Sequence, residues 1–185
     1  GTNHQILNLR RLQSEARRAS LPVAALFVDF EKAFDSPPRA ALFECLEYIG
    51  TPGDVMAMIR AIHEEPKACV QGSDAWFQVA RGIRQGCVLG PMLFNILLDF
   101  CFRIADVNSG GVELVCKDKK FMSCPNDLVG KTFNLPNLAY ADDCGLVSDS
   151  PEALSRKLNA LQAVTSSIGL NVSAKKTEWM WLNPP

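Results

Sequence analysis

The sequence predicts an α+β sandwich, a sheet with helices packed on one face in the split-βαβ, ferredoxin-like manner. Three observations predict it. A strand-length apolar run, Pro22 to Val28, is closed by Asp29 and followed by the proline pair Pro37-Pro38. Two further short apolar runs, around Leu135-Leu138-Ala139 and Gly145-Leu146-Val147, flank an acidic pair as the arms of a hairpin would. Between and after these lie stretches whose apolar residues recur at helical spacing. The chain has 185 residues, 48% of them apolar. A chain of that size buries about 70% of its extended surface, so a single domain over 1–185 is expected.

The elements follow in order. A helix fits residues 3–18, and the first strand runs over 22–29. Ala41, Leu42, Cys45, Leu46 and Ile49 mark a second helix that Gly50 stops. A third, over 53–64, carries Val55, Met58, Ile59 and Ile62 on one side and ends before Pro66. Residues 67–71 and 76–80 read as paired strands around Gly72-Ser73-Asp74. A helix over 91–107 opens on Pro91, which suits a first turn because its missing N–H would have no partner there. Asn95, Asp99 and Arg103 stripe that helix at four-residue spacing, which marks it as a buried helix of a globular domain rather than a membrane span. Residues 108–134 are the least legible, with a strand-like Val112-Glu113-Leu114-Val115 and no assignable function. After the hairpin, Ser150 as cap and Pro151 as first residue begin a helix with Leu154, Leu158, Leu161 and Ile168 inward and Gly169 as its stop. Thr177 to Leu182 closes the chain as a strand.

Composition narrows the function. The net charge of −1 does not mark a strongly basic nucleic-acid module, although the positive residues cluster. Arg10, Arg11, Arg17 and Arg18 share the first helix, Arg81 and Arg84 lie near a glycine pair, and Lys175-Lys176 lies near the end. The arginine stretch is either a nucleic-acid path or an ordinary solvated face. Seven cysteines form no CxxC and only two histidines accompany them, so reduced thiols are expected. With no evident signal peptide, an intracellular location, nucleus or cytoplasm, and no membrane partner are expected.

The chemistry centres on acids. Asp142-Asp143 follows Tyr140-Ala141 between the two hairpin runs, and Asp29 ends the first strand. Gathered at one point, three carboxylates repel, and a divalent cation removes that conflict. Mg²⁺ prefers oxygen ligands and is held by one or two carboxylates together with substrate phosphates. Two such ions, roughly 3.5–4 Å apart, stabilise the attacking and leaving oxygens of a phosphoryl displacement. Alone, an Asp-Asp pair reads equally as a polar turn.

Order supplies the context. The blocks Phe27-Val28-Asp29-Phe30-Glu31-Lys32-Ala33-Phe34-Asp35-Ser36, Arg81-Gly82-Ile83-Arg84-Gln85-Gly86-Cys87-Val88-Leu89-Gly90-Pro91, Tyr140-Ala141-Asp142-Asp143 and Lys175-Lys176-Thr177 resemble, in sequence, motifs A, B, C and D of the reverse-transcriptase palm. The wording is most similar to non-LTR, LINE-type retrotransposon polymerases. The resemblance covers nearly the whole chain and implies a polymerase palm fold, with residues 1–20 as the end of the fingers and with the thumb and most of the fingers outside the chain.

It also implies roles. Asp29 and Asp142 would ligate two Mg²⁺ ions, or Mn²⁺ in their place, with Asp143 assisting and the Phe30 carbonyl as a further ligand. Phe34 falls where the family excludes a ribose 2′-hydroxyl, although a core aromatic reads the same way. Arg84, Gln85 and Gly86 would meet the incoming deoxynucleoside triphosphate, Gly86 by permitting close backbone approach. Lys176, or Lys175 beside it, would neutralise or protonate the leaving pyrophosphate. The implied partners are an RNA template, a DNA primer and deoxynucleoside triphosphates. Two rival readings are a relic palm that at most binds nucleic acid and a two-metal nuclease or phosphatase, the latter having no need of Phe34 or of Arg84-Gln85-Gly86.

Overall fold

The computed structural model describes residues 2–63, 67–72, 74–84, 86–115, 132–140 and 143–184, so Gln85 and Asp142 lie outside the described residues. Along the chain the elements are α1 (Thr2–Ala19), β1 (Val23–Val28), α2 (Arg39–Tyr48), α3 (Gly53–His63), β2 (Lys67–Cys69), β3 (Trp76–Gln78) and α4 (Gly90–Ile104). Then come β4 (Val112–Val115), β5 (Thr132–Leu135), β6 (Asn137–Tyr140), β7 (Asp143–Ser148), α5 (Pro151–Ser167) and β8 (Glu178–Leu182).

The main sheet has the order β6-β7-β1-β8, and each neighbouring pair is antiparallel. β1 sits inside it because Val23-Ala24-Ala25-Leu26-Phe27-Val28 is apolar on both faces, which only a strand covered on both sides tolerates. Alternation along β1 sends Ala24 and Val28 into a core shared with Leu42 and Leu46 of α2, Phe94 and Leu97 of α4, and Leu161 of α5. Val23 points the other way, into a second core with Leu12 and Ala16 of α1, Val147 of β7, and Val112 and Leu114 of β4. The expected one-sided helical layer is thus α2, α4 and α5, and α1 adds cover on the opposite face.

Local details follow from capping and periodicity. Ser150 caps α5 by accepting the Ala153 N–H at 3.4 Å, and Pro151 opens the helix. Two residues of the expected helical patterns lie outside the core. Ile49 is exposed because α2 ends at Tyr48 and Ile49 is already the cap, with Gly50 at φ +79° turning the chain away. Met58 is exposed because the buried stripe of α3 is Met56, Ile59 and His63. The Asp99–Arg103 pair of α4 forms at 2.7 Å on the surface. Cys45, Cys101 and Cys144 are buried free thiols, and burial pushes Cys45 up to about 11 and Cys101 up to about 12, so neither is reactive at neutral pH.

One buried cation ties the layers together. Lys157 of α5 is only 8% exposed, and its ammonium donates to the carbonyls of Val147 (2.9 Å), Pro136 (3.4 Å) and Gly110. It joins the turn after α4 to the start of β6 and the end of β7. Nearby, Gly111 leaves no room for a side chain, since a Cβ there would lie 2.5 Å from the Leu135 carbonyl oxygen. Gly111→Ala is expected to part β4 from β5 at a cost of about 2 kcal/mol, read as a lowered denaturant midpoint; an unchanged midpoint would show that the β5 backbone gives way freely.

Candidate active site

Asp29 and Asp143 sit at the same end of two neighbouring strands. β1 and β7 pair as Phe27↔Gly145 and Val28↔Cys144, which brings Asp29, one residue beyond β1, level with Asp143, the first residue of β7. β6 and β7 form the expected hairpin, with Tyr140 paired to Asp143. By alternation Asp29 and Asp143 share the face of Phe27 and Gly145, the face that α1 covers. Both carboxylates line a cavity of about 260 Å³ whose walls include Ile6 and Leu9 of α1, Phe27, Gly145 and Lys176.

Asp29 is held by a segment from the far end of the chain. Its carbonyl accepts the Ser173 N–H at 2.8 Å, and its own N–H reaches the Thr177 hydroxyl at 3.4 Å. Phe30 is buried and bridges Val172, and the Glu31 N–H donates to the Asn171 carbonyl at 2.8 Å. The same turn delivers Lys176, whose Nζ lies 3.5 Å from Asp29 Oδ1. Lys176, rather than Lys175, therefore faces the cavity. Both partners are substantially exposed and the distance is long, so this ion pair adds little stability.

The donor chemistry fits a divalent cation. Asp29 Oδ1 is buried without a hydrogen-bond partner, with only the long Lys176 contact at 3.5 Å facing it, so a carboxylate lone pair is available to a cation. Among the described residues no group of three His, Cys, Asp or Glu side chains is close enough to hold a metal. Two of the three expected acids are described; Asp142 is not.

The nucleotide-side residues form a separate group. Phe34 does not line the acid cavity; it is half-buried, its ring stacked on Phe94 at 5.1 Å between centroids, so one part packs on the core and the rest stays open. Arg84 is exposed, and its carbonyl accepts the Cys87 N–H at 3.2 Å. Gly86 has φ +79° with nothing within 4 Å of where a Cβ would stand, so conformation requires the glycine and the space before it is open. Gln85 lies outside the described residues. Four residues of this region carry structure that the motif reading left unassigned: Ser173 and Thr177, which brace Asp29, and Arg39 and Gly82, which brace the loop before Arg84. Positive φ at Gly82 had a sequence signal in the glycine itself; the others had none.

Comparison with known proteins places this geometry. The family model for reverse transcriptase (RNA-dependent DNA polymerase) matches residues 2–183. The chain is 26% identical over 183 residues to the Retrovirus-related Pol polyprotein from type-1 retrotransposable element R2 of Nasonia vitripennis, covering 96% of this chain and 16% of that protein. It is 28% identical over 180 residues to the Pol polyprotein from type-2 retrotransposable element R2DM of Drosophila melanogaster, covering 94% of this chain and 15% of that protein. The chain thus spans about a sixth of the length of these relatives. Among solved structures, telomerase from Candida albicans in complex with a telomeric RNA fragment matches with TM-score 0.65 and 13% identity over 97% of this chain and 30% of that one. Apo telomerase from Candida tropicalis matches with TM-score 0.62 and 12% identity over 100% of this chain and 36% of that one. At such identity the telomerases establish the shared fold, as the palm reading expected. The family match over nearly every residue, together with the ordered blocks and the acids at the ends of β1 and β7, establishes that this chain belongs to the reverse transcriptase family.

Proposed function

We propose that the chain is the catalytic palm of a retroelement RNA-directed DNA polymerase, which joins a deoxynucleotide to the 3′-hydroxyl of a DNA primer on an RNA template. The observation that carries this reading is the meeting of Asp29, Asp143 and Lys176 around one cavity at the ends of β1 and β7. Asp29, Asp142, Asp143 and the Phe30 carbonyl would hold two Mg²⁺ ions, or Mn²⁺ in their place. Bound there, such ions supply Lewis-acid stabilisation of the attacking and leaving oxygens.

The chain's own residues do the rest. Asp29, braced through its backbone by Ser173 and Thr177, presents a carboxylate that needs little reorganisation. Lys176, which lines the cavity beside Asp29, would neutralise or protonate the departing pyrophosphate. Arg84, Gln85 and Gly86 would contact the incoming nucleotide, Gly86 through the open space before it, and Phe34, anchored by Phe94, limits the sugar.

The deciding experiment is extension of a DNA primer on an RNA template with Mg²⁺, the chain being placed in its full reading frame. Folded protein that binds primer-template but extends nothing would favour the relic, binding-only reading. Within that assay Phe34→Ala is expected to raise ribonucleotide incorporation by about tenfold or more while sparing deoxynucleotide use, because only the ring's exposed part is asked to exclude one oxygen. Equal loss of both substrates would mark the ring as core.

A further inference from the structure

Arg39 is the first residue of α2, where the helix dipole disfavours a cation. Its guanidinium serves another segment. Nε donates to the Gly82 carbonyl at 3.1 Å and Nη2 to the Arg81 carbonyl at 2.9 Å. The same strip of chain returns two bonds to the turn that precedes α2, Gly82 N–H to the Pro37 carbonyl at 2.9 Å and Ile83 N–H to the Phe34 carbonyl at 2.7 Å. Gly82 fits only as glycine, since its φ is +90° and a Cβ would lie 2.8 Å from both Asp35 Cα and the Phe34 carbonyl oxygen. Ile83 then plunges into the core.

Four hydrogen bonds, two from the Arg39 guanidinium and two backbone to backbone, therefore fasten residues 81–83 to residues 34–39. Phe34 stands at one end of this clamp and Arg84 leaves from the other. We propose that Arg39 and Gly82 are positioning residues that fix the distance between Phe34 and the 84–86 loop, and through it the choice and affinity of the incoming nucleotide. The proposal rests on the polymerase reading above. A guanidinium is required because one planar group spans two successive carbonyls, which an ammonium on a flexible stem does not hold in the same geometry.

The test joins two readouts on Arg39→Ala and Arg39→Lys, with the chain in its full reading frame. Hydrogen exchange should show the Gly82 and Ile83 amides losing protection in Arg39→Ala while those of α4 keep theirs. In primer extension, KM for the incoming deoxynucleotide should rise about tenfold with a smaller change in kcat, since a displaced loop misplaces the substrate. The ratio of ribonucleotide to deoxynucleotide incorporation should rise with it. Added guanidinium ion should restore part of both in Arg39→Ala, and Arg39→Lys should recover less than wild type. Unchanged exchange at Gly82 and Ile83 overturns the clamp. Faster exchange with unchanged KM and ratio leaves the clamp merely structural and overturns the selection role. A wild type that extends no primer overturns the polymerase reading and the selection role with it, while the exchange result still decides the clamp.

Discussion

Asp29→Asn and Asp143→Ala are each expected to lower Mg²⁺-dependent primer extension by about 10³-fold or more while leaving the fold intact. The two carboxylates share one face at adjacent strand ends, and Asp29 Oδ1 is buried without a hydrogen-bond partner. Like charges placed together repel and a buried carboxylate oxygen without a hydrogen bond forfeits hydration, and the long Lys176 contact at 3.5 Å between largely exposed partners offsets little of this. Removing either charge should therefore leave the melting temperature unchanged or raise it, the opposite of what a structural acid would do. Asp142→Asn tests the third acid in the same way: calorimetric titration should show weak Mg²⁺ or Mn²⁺ binding to the wild type and none to the variant. Single-turnover extension and a thermal melt on the same samples separate the outcomes. Lost extension with an unchanged or higher melting temperature supports the site; metal binding and extension that survive both Asp29→Asn and Asp142→Asn would sink it.

Lys157→Met is expected to cost about 3 kcal/mol, a fall of roughly 6–12 °C in melting temperature. Methionine matches the length and apolar stem, so little packing is lost. What goes is the donor to the carbonyls of Val147, Pro136 and Gly110. Without it the Val147 and Gly110 carbonyls carry their desolvation cost with nothing from Lys157 in return, while the Pro136 carbonyl keeps the Val147 N–H at 2.9 Å. The pH dependence has a definite sign. Burial lowers Lys157 from the ordinary 10.5 to about 8, with Asp149 and Asp106 opposing the shift. Between those values the unfolded chain holds a proton that the folded chain has released, so this residue's contribution to stability rises with pH. The gap between wild type and Lys157→Met should accordingly widen from about pH 8 to 10.5. Urea denaturation at a series of pH values measures it, and a gap that narrows would mean that the folded protein holds the proton more tightly than the unfolded one.

Much of this was legible from residues alone because it was local. Ser150-Pro151 announced α5, the apolar run to Val28 announced β1, and Tyr140 and Asp143 bracket a hairpin where the alternating runs implied one. The ends of elements were less legible. Ile49 continued the helical spacing of α2 but fell past its last turn, and Met58 fitted the apolar pattern of α3 as well as Met56 did. Long-range braces left no periodic trace. That Ser173 and Thr177 hold the backbone of Asp29 depends on β8 pairing beside β1, and that Arg39 reaches Gly82 depends on segments 43 residues apart meeting in the fold. Lys157 hid for a different reason, since a lysine in an amphipathic helix reads as solvated unless three carbonyls happen to meet it.

The aromatic residues of β3 and β8 have a practical consequence. The chain's three tryptophans, Trp76, Trp179 and Trp181, are 65%, 63% and 37% exposed. Their indoles already meet water in the folded state, so intrinsic emission should be red-shifted from the start and change little on denaturation. Fluorescence is then a poor thermometer of unfolding for this chain, and circular dichroism the better one. The same property makes the emission a sensitive report of contact, since whatever covers β3 or the outer edge of β8 will shift it to the blue without any change in the core.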